Sequence, residues 1–204
     1  MDGTQYRSGV FRIMSSEVNL GFSVVHDEMT SFMNALKVMQ AKEVLAGFPQ
    51  EEAPRKDEDG KSSPITNAAL GYIHNMGAPE QNIPARPFMV EGIESKSEPI
   101  TDGMEAAGIA ALDGNVHQID QALNAVGALA RDGIKMKILD GPFEPLAEST
   151  LKNRVRTAGS SIAAAAQAEL DSRAAGNAPD PENARPLNAT GQMRNAVNYV
   201  LREK

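Results

Sequence analysis

Cysteine and tryptophan are absent from this chain of 204 residues, and aromatic residues make up only 4% of it. The lack of cysteine excludes disulfide bonds, thiolate metal sites and cysteine nucleophiles, and it agrees with an intracellular origin. With six Phe and three Tyr, the core must depend on Ala, Leu, Ile, Val and the ten Met. Because Met fills irregular gaps but specifies geometry weakly, we expect an adaptable core.

Long apolar runs are also missing. No stretch approaches the roughly 18 residues that a membrane-spanning helix needs. The start of the chain, MDGTQYRSGVF, lacks the apolar segment of a secretory signal. We therefore expect a soluble protein that carries no secretory signal and has no membrane partner.

The balance of charge argues against nucleic acid as the main ligand. The formal net charge is -7, and no run rich in Lys and Arg is present. Proteins that bind duplex DNA usually present a basic face. The most basic stretch is LKNRVR, from Leu151 to Arg156. We interpret it as a solvated helix face rather than as a phosphate contact.

Motifs that would indicate an enzyme are missing too. The three histidines, His26, His74 and His117, share no metal-binding spacing, and each is expected to lie at the surface or at a helix end. The DEDG segment at 57–60 lacks the ligand rhythm of a calcium loop. A nucleophile elbow and a dinucleotide fingerprint are absent. The sequence therefore predicts no catalytic, metal-binding or cofactor-binding residues, and we expect a protein that is not an enzyme.

Apolar residues at spacings of three and four predict several amphipathic helices. The first follows Ser23 as its N-cap, and a short helix near 65–76 ends at Gly77. Pro99 interrupts the pattern between Met89 and Ala111, which predicts a kink or two consecutive helices. After a turn at 113–115, another helix runs to about Ile138. A further helix begins with Ser149 or Thr150 as its cap.

Alternating apolar residues predict three short strands. One lies near the N-terminus, one spans about 44–48 and stops at Pro49, and the last includes Val197, Tyr199 and Leu201. The charged segment 51–64 is predicted to be a flexible loop, and about 157–185 forms an Ala-rich insertion. The predicted fold class is α+β, as one domain over 1–204. A small sheet of these three strands packs against three to four amphipathic helices.

Three separated segments resemble one protein family. They are AALGYIHNMGAPEQNIPARPFM, PLAESTLKNR and ARPLNATGQMRNAVNYVLRE. In this order they are similar to the neck or tail-completion proteins of long-tailed bacteriophages, which are related to the phage virion morphogenesis proteins. That family has a short helix ending in a His-Glu-Phe-Gly-like step, then an Ile-Pro-Ala-Arg-Pro-Phe-like turn. Two further elements follow in that family: a Pro-Leu…Ser/Thr…Lys element, and then a Pro-Leu…Thr-Gly-x-Leu/Met-Arg-Asn turn before a strand.

The chain departs from this pattern at two places. Asn75 and Met76 replace the acid and the aromatic residue after His74, which puts a family-like role of His74 in doubt. The Ala-rich insertion is also longer than is usual in the family, which suggests a lineage-specific surface helix or projection.

The resemblance implies a structural protein of the phage head–tail junction. Such a neck, tail-completion or connector subunit forms a homo-oligomeric ring and contacts other neck, portal or adaptor, and tail proteins. DNA passes through the ring without sequence-specific binding. The expected location is the virion, after synthesis in the host cytoplasm. Two of the signatures and the final strand supply the candidate assembly residues, which are Ile83, Pro84, Arg86, Pro87, Phe88, Thr190, Gly191, Arg194 and Tyr199.

Two questions stay open on the sequence alone. The proline-rich turn is either a rigid corner in which Pro84, Pro87 and Phe88 hold one buried ring, or a partner contact in which Arg86 pairs across a subunit boundary. For the whole chain, the alternatives are a tail-terminator or minor tail protein, and a regulatory adaptor module. Short strands with open edges would suit contacts between subunits.

Overall fold

A computed structural model describes residues 10–13, 16–19, 25–49, 55 and 62–204 of the chain. These ranges contain eight α-helices and four strands. In chain order the elements are β1 (Val10–Ile13), β2 (Ser16–Asn19), α1 (Val25–Ala41), β3 (Lys42–Gly47), α2 (Asn67–Met76), α3 (Phe88–Glu94), α4 (Ser97–Leu112), α5 (Val116–Asp140), α6 (Glu148–Thr157), α7 (Ser160–Ala174), α8 (Gln192–Ala196) and β4 (Asn198–Glu203).

The predicted α+β class is confirmed, with a smaller sheet than expected. Strands β3 and β4 pair antiparallel, from Lys42 opposite Glu203 to Gly47 opposite Asn198. The N-terminal strand does not join them: β1 pairs with β2 in a separate hairpin. A partner two residues away closes a far shorter loop than a partner at the other end of the chain, so local pairing costs less entropy.

Helix α5 forms the centre of the fold. It contacts α1, α3, α4, α8 and both strands of the β3–β4 sheet. Its buried side chains recur at spacings of three and four, as the sequence predicts. They are Ile119, Leu123, Val126, Ala130, Ile134 and Ile138. One end of this stripe packs with α1 and α4, and the other packs with α3, α8 and Phe143.

Most of the predicted helix boundaries hold, and one predicted cap is wrong. Gly77 ends α2 with a φ of 77°, and a Cβ there would lie 2.7 Å from the backbone N of Ala85. Two consecutive helices flank a break at Ser95 and Lys96, and Pro99 lies in the first turn of α4, where its missing N–H is tolerated.

The wrong cap is that of α6. Helix α6 begins after Ala147, whose carbonyl accepts from the N–H groups of Thr150 and Leu151. Ser149 and Thr150 therefore lie inside the helix and do not cap it.

The Ala-rich insertion packs against α6. Helices α6 and α7 contact each other around a separate cluster of Leu146, Leu151, Ala166 and Ala184. Glu169 is fully buried in this pair of helices. Its carboxylate accepts hydrogen bonds from Arg173, Asn183 and the backbone N–H of Asp180, at 2.7 to 2.9 Å. The insertion is thus held against α6 by a buried carboxylate as well as by apolar side chains.

Two predictions concern segments that the structure covers only in part. Within the loop predicted at 51–64, Arg55 and residues 62–64 are described, and the carbonyl of Arg55 accepts from the N–H of Ser63 at 2.8 Å. The rest of that loop and Ser23 lie outside the described residues. Among the helices in the described ranges, none has the length and apolar character needed to cross a membrane.

Candidate functional site

A cavity of about 430 Å³ lies where α2, α6 and the turn before α8 meet. Each of the three segments that carry the family resemblance contributes to its lining, although they are far apart in the sequence. The first supplies His74 and Arg86, the second supplies Arg154, and the third supplies Thr190 and Gly191. We call this cavity the basic pocket.

Helix α2 and the proline-rich turn place the first two of these side chains. The hydroxyl of Thr66 accepts from the N–H of Ala69 and caps the start of α2, which ends shortly after His74. Ala78 and Ile83 then exchange two backbone hydrogen bonds, at 2.8 and 3.1 Å, and close a tight loop. The chain returns to α2, where the N–H of Arg86 donates to the carbonyl of His74 at 2.8 Å. His74 and Arg86 are therefore held side by side.

Asn75 has a structural role that the sequence pattern does not indicate. Its side-chain oxygen accepts from the backbone N–H of Met89 at 3.1 Å. Met89 lies in the first turn of α3, where backbone N–H groups lack partners within the helix. Asn75 therefore ties the end of α2 to the start of α3.

Three arginines bring positive charge to the pocket. Arg86 is only 4% exposed, and its guanidinium donates to the carbonyl of Glu144 at 3.3 Å. The guanidinium of Arg154 donates to the carbonyl of Arg185 at 3.0 Å. Arg55 also lines the cavity. In the described ranges, no carboxylate forms a salt bridge with any of these three guanidinium groups, and the Nε atoms of Arg55 and Arg86 have no hydrogen-bond partner.

This charge changes the ionisation of the groups around it. Burial, with further effects of Arg86, Arg55 and Arg154, lowers the pKa of His74 from 6.5 to about 4. His74 is therefore neutral at pH 7, and its buried Nδ1 has no hydrogen-bond partner in the part of the chain that the structure describes. Burial also lowers the pKa of Arg86, against the opposing effect of Glu144, and burial together with Arg86 lowers the pKa of Arg154.

Arg154 differs from its sequence-based expectation, and His74 differs in part. His74 lies in the last turn of α2, the helix end that was expected, but it is partly buried in the basic pocket. Lys152 and Arg156 do lie on a solvated face of α6, where Lys152 pairs with Glu148 at 2.6 Å. Arg154 instead follows the buried Leu151 by three residues, which places it on the inward side of the helix.

Of the other two histidines, His117 is not among the described residues that line this pocket. His117 is exposed on α5, with its Nε2 3.3 Å from the side-chain nitrogen of Gln121. His26 lies in α1, but its side chain is outside the described residues. Within the described ranges, no group of three or more His, Asp or Glu is placed to hold a metal ion.

The structure brings three of the candidate assembly residues together in the basic pocket and places the others elsewhere. Arg86, Thr190 and Gly191 line the pocket. Phe88 is fully buried, and its ring meets that of Phe48 edge to face at 6.4 Å. Of the others, Pro87 is exposed, whereas Ile83, Pro84, Arg194 and Tyr199 are half-buried.

Tyr199 connects β4 to α5. Its ring lies against Gly127, where a Cβ would come within 2.2 Å of the ring. Its hydroxyl donates to the side-chain oxygen of Asn124 at 3.3 Å, and the guanidinium of Arg131 lies 5.7 Å from the ring centroid. These contacts within the chain explain its position, and a role of Tyr199 toward a partner stays a prediction.

The outer face of the β3–β4 sheet is a second candidate surface. Leu45 and Val200 are direct cross-strand neighbours there, and they are 42% and 37% exposed. Next to them lies a groove of about 290 Å³ that includes Phe48 and Pro49. Among the described strands, β3 and β4 pair only with each other, so one edge of each has no partner strand.

Comparisons with family models, with curated proteins and with solved structures found no match to this chain.

Proposed function

We propose that this chain is a non-enzymatic structural subunit of the phage head–tail junction: a neck, tail-completion or connector protein that assembles into a homo-oligomeric ring. The observation that carries the assembly role is the outer face of the β3–β4 sheet. Its Leu45–Val200 pair is exposed, and one edge of each strand has no partner among the described strands. Exposed apolar side chains and open strand edges are common features of protein interfaces.

The phage setting rests on the resemblance of the three sequence segments. Their side chains meet around the basic pocket, which supports the interpretation that the segments form one structural unit. The net charge of -7 suits a ring through which DNA moves without being held tightly. The proposed partners are the portal or adaptor, other neck proteins and tail proteins, and the proposed location is the virion after synthesis in the host cytoplasm.

Native mass spectrometry and negative-stain imaging of the purified protein test this proposal. We expect rings, formed by the protein alone or on addition of a portal or tail-tube protein. A stable monomer that binds no virion component would overturn it. A ring that joins only the end of the tail tube would instead identify a tail-terminator or minor tail protein.

A further inference from the structure

We propose that the basic pocket binds a carboxylate attached to an apolar body, presented by a peptide segment of a protein partner. The buried guanidinium of Arg86, the guanidiniums of Arg154 and Arg55, and the apolar walls beside them carry this inference. It does not rest on the proposed ring, since the ligand would contact a pocket formed within one chain.

The polar end of the pocket has the chemistry of an oxyanion site. A guanidinium presents planar N–H donors that match the two oxygens of a carboxylate, and the resulting charge-assisted hydrogen bonds are short and strong. Arg86 is nine-tenths buried or more, yet its Nε has no hydrogen-bond partner in the described ranges. Buried donors and charges without partners are costly. An anion in the pocket would offset this buried positive charge and relieve the repulsion between Arg86 and Arg154.

The rest of the lining indicates what the anion is attached to. Leu70, Leu146, Ile162 and Met193 form apolar walls, and Thr150 and Asn153 add neutral polar groups. A volume of about 430 Å³ is more than a single ion needs and falls in the range of about 300–1,000 Å³ typical of ligand pockets. The apolar walls favour a carboxylate on aliphatic carbon, such as the end of a peptide, over the polar phosphate backbone of DNA. The net charge of -7 also disfavours a nucleic acid ligand.

His74 supplies a direct readout of binding. The charged groups that act on it in the described structure are Arg86, Arg55 and Arg154, while the opposing carboxylate of Glu144 acts on Arg86. A bound carboxylate would add a negative charge beside the imidazole and favour its protonated form. The pKa of His74 should therefore rise when a ligand with a carboxylate binds, which proton NMR of the imidazole measures.

The experiment is an NMR titration of the full chain with matched small molecules. Hexanoate should bind about tenfold more tightly than acetate and raise the pKa of His74, whereas hexan-1-ol should do neither. The tripeptide Ala-Leu-Leu should bind with a free C-terminus and lose at least tenfold in affinity when its C-terminus is amidated. The loss of one charge-assisted hydrogen bond corresponds to about this factor.

Two variants from the same helix locate the site. Arg154→Gln should weaken binding of hexanoate and of the free peptide by at least tenfold. Lys152→Gln is the control, because Lys152 is exposed on the same helix and pairs with Glu148, and neither is among the described residues that line the pocket. If Arg154→Gln melts at a lower temperature than the wild type, Arg154→Lys is the second variant. It keeps the positive charge but removes the planar guanidinium, so it should still weaken binding.

Several results would overturn the inference. Equal binding by the wild type and by the folded Arg154 variants would exclude the pocket. Binding of hexanoate without binding of the free peptide would exclude a peptide partner. Binding of inorganic phosphate or duplex DNA in preference to hexanoate, lost in Arg154→Gln, would identify a phosphate site. The titration is carried out on the monomer or on the ring, so its failure is distinct from a failure of ring assembly.

Discussion

At the scale of single residues, His74 shows how a local pattern acquires its chemistry from distant parts of the chain. Its lowered pKa, about 4 in the folded protein against 6.5 unperturbed, means that the unfolded chain takes up the proton first as the pH falls. The stability that neutral His74 contributes is fully present above pH 6.5 and is lost as the pH falls toward 4. We expect the free energy of unfolding to fall by up to about 3 kcal/mol more in the wild type than in His74→Ala over this range.

Urea unfolding at pH values between 4 and 7 measures this difference. The control is His117→Ala, which removes an exposed histidine of α5 that is not among the residues lining the basic pocket. Parallel stability curves for the wild type and His74→Ala would contradict the expectation. They would mean that the arginines and burial around His74 do not disfavour its protonation in the folded state.

At the scale of the elements, the α6–α7 pair depends on a buried carboxylate in an otherwise apolar interface. Burial opposes ionisation of Glu169, but hydrogen bonds from Asn183, Asp180 and Arg173 outweigh it and hold the pKa below its ordinary value. Its contribution to stability is therefore present above about pH 4.5 and is lost as the pH falls through the lower folded-state pKa. Glu169→Gln should cost about 3 kcal/mol, since an amide nitrogen would replace an acceptor among donors and Arg173 would lose its ion-pair partner.

Hydrogen exchange shows which helices lose stability in Glu169→Gln. Amides in α6 and α7 should exchange faster in Glu169→Gln, while those in the centre of α5 should change less. Glu148→Gln is the matched control, because Glu148 lies on the exposed face of α6 and pairs there with Lys152. Unchanged exchange in α7 of the Glu169 variant would show that the carboxylate does not hold the helix pair together.

The elements also show what could be predicted from the sequence. The buried stripe of α5 was predictable because burial along a helix repeats with the helical period, which is a local property. The end of α2 at Gly77 was predictable because it is also a local property: the helix ends on a residue with positive φ, which favours glycine. The buried position of Glu169 was not predictable, because its partners Asp180 and Asn183 lie beyond the helix. The pairing of β1 with β2 was not predictable either, because a strand can pair with more than one other strand and the local pattern does not say which.

At the scale of the whole molecule, most of the candidate site could not be predicted from the sequence. The segments that form the basic pocket were recognisable one by one, and Arg86, Thr190 and Gly191 were among the candidate residues. Their meeting in one cavity depends on the packing of α2, α6 and the turn before α8. Arg154 was missed because a basic run on a helix usually indicates a solvated face. Its spacing of three from an apolar residue, Leu151, was the available signal.

Assembly, the whole-molecule property of the proposed function, can be tested at the sheet without altering the basic pocket. Leu45 and Val200 are exposed neighbours on the outer face, so replacing both by Thr keeps residues that favour strands and removes apolar surface. If this face lies between subunits, the double variant should need at least tenfold more protein to form rings, as native mass spectrometry over a dilution series would show. Its melting temperature as a monomer should change little, because neither side chain is in the core.

The control for the sheet variant is Met136→Gln, which removes an apolar side chain that is 53% exposed on α5 and keeps a residue that favours helices. It should form rings at the wild-type concentration. Assembly of the double variant at that same concentration would show that the outer face is not the subunit interface. An equal loss in both variants would mean that exposed apolar surface drives assembly without regard to position. Only a loss confined to the sheet variant supports a ring built through β3 and β4.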